Sequence, residues 1–475
     1  MKINNFYNPY RENNEAVFRI IIAAVILCIA SWFMSCDDFT EVDMPVTELN
    51  SNAVFEQKST AYAAMTDIYA KMRENGVLTG KGTGISRDLG LYADELDWYG
   101  SSALVSYSFY NNSLLPTALP LANWWNHSYN QIYSANAVLE GVAASKTLAL
   151  EDKDRLTGEA LFIRGLLHFY LLQLFGEVPY ITTTDYTKNV NVTRLPEADV
   201  YGKILADLNA ADGLLGEEYL STDRTRPNKF AVKAMLARVQ LHKGDWAEAA
   251  NSASAVLNAT ETYTLPADLS NFFLKESTGT IWQFSPRTAT RNTDEGSTFI
   301  FNAAPPPAAA LTNVLMGSFE PGDQRRAKWT RARSAGGTTW YHAFKYKKTT
   351  TSTPQLEYSI VLRLSEMYLI RAEARARQGE LIGAKEDIDV LRNKAGLLGT
   401  TAVTQPEILD AVLQERRVEF FTEYGHRFMD LKRMGKLDTF LSPLKPSWQS
   451  TDRLLPLPQK EINLNPNIGS QNPGY

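Results

Sequence analysis

LARVQLHKGDWAEAANSASAVL (Leu236–Leu257) is the stretch whose reading decides the fold. Ala237 and Ala249 are small residues placed where two helices would cross, and Gly244 stands between them at a turn. LIRAEARARQGELIGAKEDIDVL (Leu369–Leu391) repeats the arrangement with Ala372, Gly379 and Ala384. In both stretches the small residue, the glycine and the second small residue are spaced by seven and then five positions. A spacing that recurs in distant parts of one chain marks a repeated helix–turn–helix unit.

This pattern is the signature of tetratricopeptide repeats, whose helix pairs bury their apolar faces by stacking on neighbours. The rest of the chain supplies such neighbours. Phe55–Met72 places Tyr62, Met65, Tyr69 and Met72 three or four apart, one apolar stripe. Trp125, Tyr129, Ile132, Asn136 and Leu139 form another. GEALFIRGLLHFYLLQLFGEVPYI (Gly158–Ile181) is apolar nearly all round, as a central buried helix is, and Gly176 with Pro179 marks its end. Val200, Ile204 and Leu208 mark one more helix. The chain is expected to be all-α, or mainly α-helical, with long loops and few short strands.

The N-terminal end has a different character. The apolar run Ile20–Met34 follows Arg19 and stops at Ser35-Cys36-Asp37-Asp38. Its 15 residues fall short of the about 20 that cross a bilayer as a helix. The length suits a signal-peptide apolar region. The small residue before Cys36 resembles a lipobox, in which the cysteine is acylated and becomes the new N-terminus. The short run and its acidic cap favour this over an uncleaved anchor. Residues 1–35 are therefore read as a lipoprotein signal peptide and Cys36 as the lipid attachment site. Asp37 and Asp38 resemble the address that carries some lipoproteins to the cell surface. Acyl chains contribute about 0.8 kcal/mol per buried CH₂, enough to tether a soluble body.

Composition limits what the body can be. Cys28 leaves with the leader and Cys36 carries lipid, so no disulfide, zinc-thiolate site or thiol nucleophile remains. Removing Lys2, Arg11, Glu12, Glu15 and Arg19 with the leader takes the formal net charge from −5 to −6. No basic patch stands out, which argues against nucleic acid as a partner. Aromatics are plentiful, with 9 Trp and 22 Tyr.

Four segments, in order, carry a family resemblance. They are Gly158–Ile181, quoted above; VLRLSEMYLIRAEARARQG (Val361–Gly379); QERRVEFFTEYGHRFMDLKRMG (Gln414–Gly435); and LLPLPQKEINLNPNIGSQNPGY (Leu454–Tyr475). With the lipobox they resemble the SusD/RagB family of outer-membrane nutrient-binding lipoproteins, over residues 36–475. The resemblance implies a SusD-like fold built on tetratricopeptide-type pairs, in an N-terminal region 36–264 and a C-terminal region 265–475. It implies a lipid-anchored protein of the outer membrane, facing the cell exterior. It further implies that a glycan, or in some members a peptide, is captured without catalysis. The implied partner is a TonB-dependent SusC/RagA-like barrel. No cofactor follows from it, and the residues leave a structural calcium open.

Two stretches lack helical period, Trp98–Asn123 and Leu265–Glu357. Long loops on a helical scaffold are where binding residues concentrate. Within the second, TIWQF (Thr280–Phe284) reads as a short strand with Trp282 in the core. LYADELDWYGSS (Leu91–Ser102) gives the best binding candidates. Trp98 and Tyr99 offer flat faces for sugar rings, and Asp97 offers an acceptor for hydroxyls. Trp98 has a second reading, as a partly buried core aromatic. Asp94 and Glu95 are read as structural. Trp340 and Tyr341 follow SAGGTT (Ser334–Thr339), a loop whose tip would display them. The family resemblance likewise places a glycan site in the first of these regions together with loops of the second half. Tyr107 and Tyr110 are weaker candidates. Trp125 is expected in the core, with Trp124 the more exposed of the pair.

Enzymatic chemistry finds little support. GVLTGKGT (Gly76–Thr83) is one residue short of a phosphate loop and follows a helix instead of a strand. The five histidines show no metal-ligand spacing, and no Gly-x-Ser-x-Gly elbow is present. Glu415, Glu419 and Glu423 recur at every fourth position, and Glu366 and Glu373 lie seven apart. A glycoside hydrolase would need two such carboxylates in an open cleft. Arg363, Arg377, Arg416, Arg417 and Arg427 lie near them in sequence, so ion pairing is the favoured reading. A helical-repeat scaffold for protein partners is the third reading, and an exposed apolar groove on the repeats would mark it.

Overall fold

The computed structural model describes residues 54–475; the leader, Cys36 and the acidic pair lie outside them. The long helices are α1 (Lys58–Glu74), α2 (Ile85–Tyr92), α3 (Leu119–Ala144), α4 (Leu150–Phe175), α5 (Glu197–Leu214), α6 (Lys229–Lys243), α7 (Trp246–Leu257), α8 (Leu364–Arg377), α9 (Leu381–Lys394), α10 (Gln405–Phe420) and α11 (His426–Arg433).

The two repeated stretches fold as the pairs α6–α7 and α8–α9. Asn228 caps α6 by accepting a hydrogen bond from the Ala231 N–H. Gly244 and Gly379 turn the chain at φ 91° and 83°, a region that only glycine enters without strain. Ala237, Ala249, Ala372 and Ala384 are fully buried where the helices cross. α7 packs on α8, so the two pairs stack although more than a hundred residues separate them. α4 is the central helix, between α3 and α5, and its second half is buried on every face. It ends at Gly176, as the sequence indicates. α10 starts with a reciprocal capping box between Thr404 and Glu407. The main apolar core draws on residues from Phe55 to Ile468, so both halves of the chain contribute to it.

The carboxylates singled out in the sequence are buried in ion pairs, but mostly with partners from other elements. Arg238 on α6 grips Glu366 on α8, at 2.6 Å to Oε2, and also donates to the Tyr170 hydroxyl at 2.9 Å. Arg325 is shared by Asp323, Glu415 and Glu419. Arg363 reaches Glu419 at 2.6 Å and Glu423 at 2.9 Å. Arg433 takes Glu373. Helical neighbours contribute only a long Arg377–Glu373 contact of 3.8 Å. Burial would raise Glu419, but Arg363 and Arg325 outweigh it and hold the carboxyl down to about 2.

The aperiodic stretches are more ordered than expected. β1 (Leu96–Trp98) runs into the first. The second holds β2 (Thr280–Phe284), β3 (Ala309–Leu311), β4 (Thr330–Ala335) and β5 (Thr338–Ala343), with β6 (Ser359–Arg363) just beyond, and both contain short helices. β2 and β6 form a two-stranded sheet, with Trp282 fully buried. The others form an antiparallel sheet in the order β1-β3-β5-β4. Strands of three residues, paired across two hundred positions, leave no periodic signal in a sequence window.

Candidate functional site

The four-stranded sheet brings together the two candidate segments. Register sets which side chains share a face: Leu96 lies opposite Leu311, and Leu311 opposite Tyr341. Side chains alternate along each strand. Leu96, Trp98, Leu311 and Tyr341 therefore share the face that packs on the core. Asp97, Tyr99 and Trp340 share the other face. There the rings of Tyr99 and Trp340 meet edge to face, with centroids 6.3 Å apart and planes at 90°. Tyr99 is 43% exposed and its N–H donates to the Ala308 carbonyl at 2.6 Å.

This geometry corrects the expectation for Trp340 and Tyr341. They do not ride on a loop tip. Gly336 and Gly337, at φ 56° and 80°, close a two-residue hairpin turn, and both aromatics lie in β5. Alternation then splits them. Trp340 joins Tyr99, whereas Tyr341 turns to the core side beneath the Arg326 guanidinium, 5.6 Å from its ring. Trp98 is half-buried: it packs on the core edge while its Nε1 donates to the Ser101 carbonyl at 3.1 Å. Arg87 lies 5.8 Å from its ring.

Asp97 is half-buried, and burial raises its carboxyl, with Lys445 opposing. Lys445 donates to the carbonyls of Leu91 at 2.8 Å and Tyr110 at 3.0 Å and sits 4.2 Å from the Tyr110 ring. Burial pushes its ammonium down to about 8, against the attraction of Asp97 and Asp94. Tyr107 and Tyr110 are neighbours at 6.3 Å. Asp94 is structural: Arg417 and Arg427 each donate to it at 2.8 Å. Trp124 departs from expectation. It is as buried as Trp125, because its Nε1 donates to the Thr83 carbonyl at 2.7 Å.

Sequence reasoning missed the β4 side of this face. Arg333 lies directly opposite Trp340, and Arg331 opposite His342. TRARSA-GG-TTWYHA is an alternating hairpin pattern around a Gly-Gly turn, the signal that would have revealed them. Among the described residues, no group of three His, Cys, Asp or Glu side chains is placed to hold a metal ion.

Comparison with known proteins decides the family. A family model described as starch-binding, associating with the outer membrane, matches residues 86–241, and the SusD family model matches residues 316–475. The chain belongs to the SusD/RagB family. It is 22% identical over 515 residues to SusD-like protein P25 of Formosa agariphila, covering 94% of this chain and 97% of that one. Its fold matches a SusD superfamily protein from Bacteroides vulgatus with a TM-score of 0.78 at 21% identity, covering 89% of this chain and 100% of that one. A laminarin-binding SusD-like protein matches with a TM-score of 0.74 at 23% identity and the same coverage. The mainly α-helical SusD-like architecture inferred from the sequence is the one observed.

Proposed function

We propose that this SusD/RagB family protein captures a glycan at the cell surface and passes it, chemically unaltered, to a TonB-dependent SusC-like outer-membrane transporter. Lipid on Cys36 would hold it there. The observation that carries the reading is the Tyr99–Trp340 pair: two rings at right angles on a sheet face, beside the acceptor Asp97. Such rings offer apolar faces to the C–H surfaces of a pyranose, and a rigid sheet fixes them before the ligand arrives. Trp98 and Tyr341 support the platform from its core side. The starch-binding description of the matching family model and the laminarin-binding relative in fold are consistent with this.

A hydrolase is disfavoured because Glu366, Glu373, Glu415, Glu419 and Glu423 are all buried against guanidinium or ammonium groups. They do not form the open carboxylate pair that glycoside cleavage requires. The test is a glycan-array screen of the purified protein, followed by product analysis on each hit. Binding without turnover is expected. Turnover would overturn the non-enzymatic reading, and binding of peptides in place of saccharides would overturn the glycan assignment.

A further inference from the structure

The aromatic face has an unusual charge. The chain carries a formal net charge of −5, and its buried arginines are held by carboxylates. At the β4–β5 hairpin the pattern changes. Arg326, Arg331 and Arg333 have no carboxylate within 4 Å among the described residues. Each is positioned by something neutral. Arg331 stacks at 4.5 Å from the Phe344 ring. Arg333 donates to the Asn302 side chain at 3.1 Å and to the Ala332 carbonyl at 3.0 Å. Arg326 lies over Tyr341. Arg333 is directly opposite Trp340, and Arg331 and Arg333 project from one face, about 7 Å apart along the strand. Past the β4 edge, a cleft of about 590 Å³ is lined by Phe319, Arg326, Arg331 and Tyr341. The acids beside it, Glu320 and Asp323, are already engaged by Arg392 and Arg325.

From this we infer that the glycan site selects acidic sugars, with Arg331 and Arg333 binding the carboxylate or sulfate groups of a chain whose rings stack on Trp340 and Tyr99. The inference rests on the glycan-capture reading and names the chemical class of its cargo. Guanidinium groups suit both oxyanions, because their paired N–H donors match two oxygens at once. Their prior placement against Phe344 and Asn302 lowers the ordering cost of binding. Edge strands often carry charge to prevent pairing with other chains. That role would be met by either sign. It does not explain why the charges here are all cationic, aligned with the aromatic platform and left without carboxylates. The one acid on the same face, Asp97, has Lys445 nearby.

The purified protein is titrated calorimetrically with three probes: an oligogalacturonate hexamer, a sulfated galactose hexamer and the unsulfated galactose hexamer. Arg331→Gln and Arg333→Gln are titrated in parallel, with circular dichroism confirming their fold. At least one acidic probe is expected to bind at least about tenfold more tightly than the neutral one, and to lose that advantage in either variant. Raising salt from about 50 to about 500 mM should weaken acidic binding and leave any neutral binding unchanged. The uronate and sulfate arms show which oxyanion is preferred. Neutral binding of equal strength, insensitive to both variants, overturns the acidic inference and leaves glycan capture standing. If screening and all three probes show no saccharide binding, both readings fall.

Discussion

Glu95→Gln tests the electrostatics beneath the aromatic sheet. Glu95 lies between α2 and β1 and is 2% exposed. Its Oε2 accepts the Thr422 N–H at 3.3 Å, and its Oε1 has no partner among the described residues. Burial pushes the carboxyl up to about 8, and neighbouring Asp94 adds to the rise. In the unfolded chain the group titrates near 4.5. Below that value both states hold the proton, and pH has no leverage through Glu95. Between 4.5 and about 8 the unfolded chain releases the proton while the folded chain keeps it, so stability falls as pH rises. Above about 8 the loss is complete. From about pH 5 to about pH 7.5 the loss is roughly 3 kcal/mol, at about 1.4 kcal/mol per unit. An amide at this position keeps an acceptor for Thr422 and does not titrate. Urea unfolding followed by tryptophan fluorescence at the two pH values should show the variant gaining on wild type by about that amount at the higher pH. The same wild-type-to-variant difference at both values would refute the reasoning.

Three further outcomes follow from the packing. Arg325→Leu strands Asp323 as a buried carboxylate, leaves Glu415 with only Arg392 at 3.6 Å and Glu419 with only Arg363, and should cost about 3–5 kcal/mol in denaturant unfolding; a loss under about 1 kcal/mol would count against the ion network as built. Gly379→Ala meets no atom within 4 Å, so its cost is conformational alone, about 1 kcal/mol by thermal unfolding. Trp98→Ala should lose about 2 kcal/mol of stability because the ring packs on the core edge, whereas Trp340→Ala on the outer face should lose less than about 1 kcal/mol.

Much of the scaffold was legible because helices write their geometry into local sequence. The seven-then-five spacing around Gly244 and Gly379, the apolar run before Gly176 and the strand at Thr280–Phe284 all appear where they were read. The sheet that carries the site was not legible. β1 and β3 are three residues each, and their pairing is a tertiary event. For the same reason Trp98 and Trp340 could be named as candidates, but not as members of one sheet with opposite orientations. The ion pairs show the same limit: acids with nearby arginines suggested pairing, and folding chose partners from distant elements such as Arg238 and Arg325. Trp124 was misjudged because its hydrogen bond to Thr83 lies outside the helical period.

The central claim is that Tyr99 and Trp340 hold a saccharide. Isothermal titration of the purified protein with its strongest array hit, beside Tyr99→Ala and Trp340→Ala, tests it most directly. Each substitution is predicted to cost about 1–2 kcal/mol of binding, roughly 5- to 30-fold in Kd, with thermal unfolding little changed. Unaltered affinity in both folded variants would contradict the account.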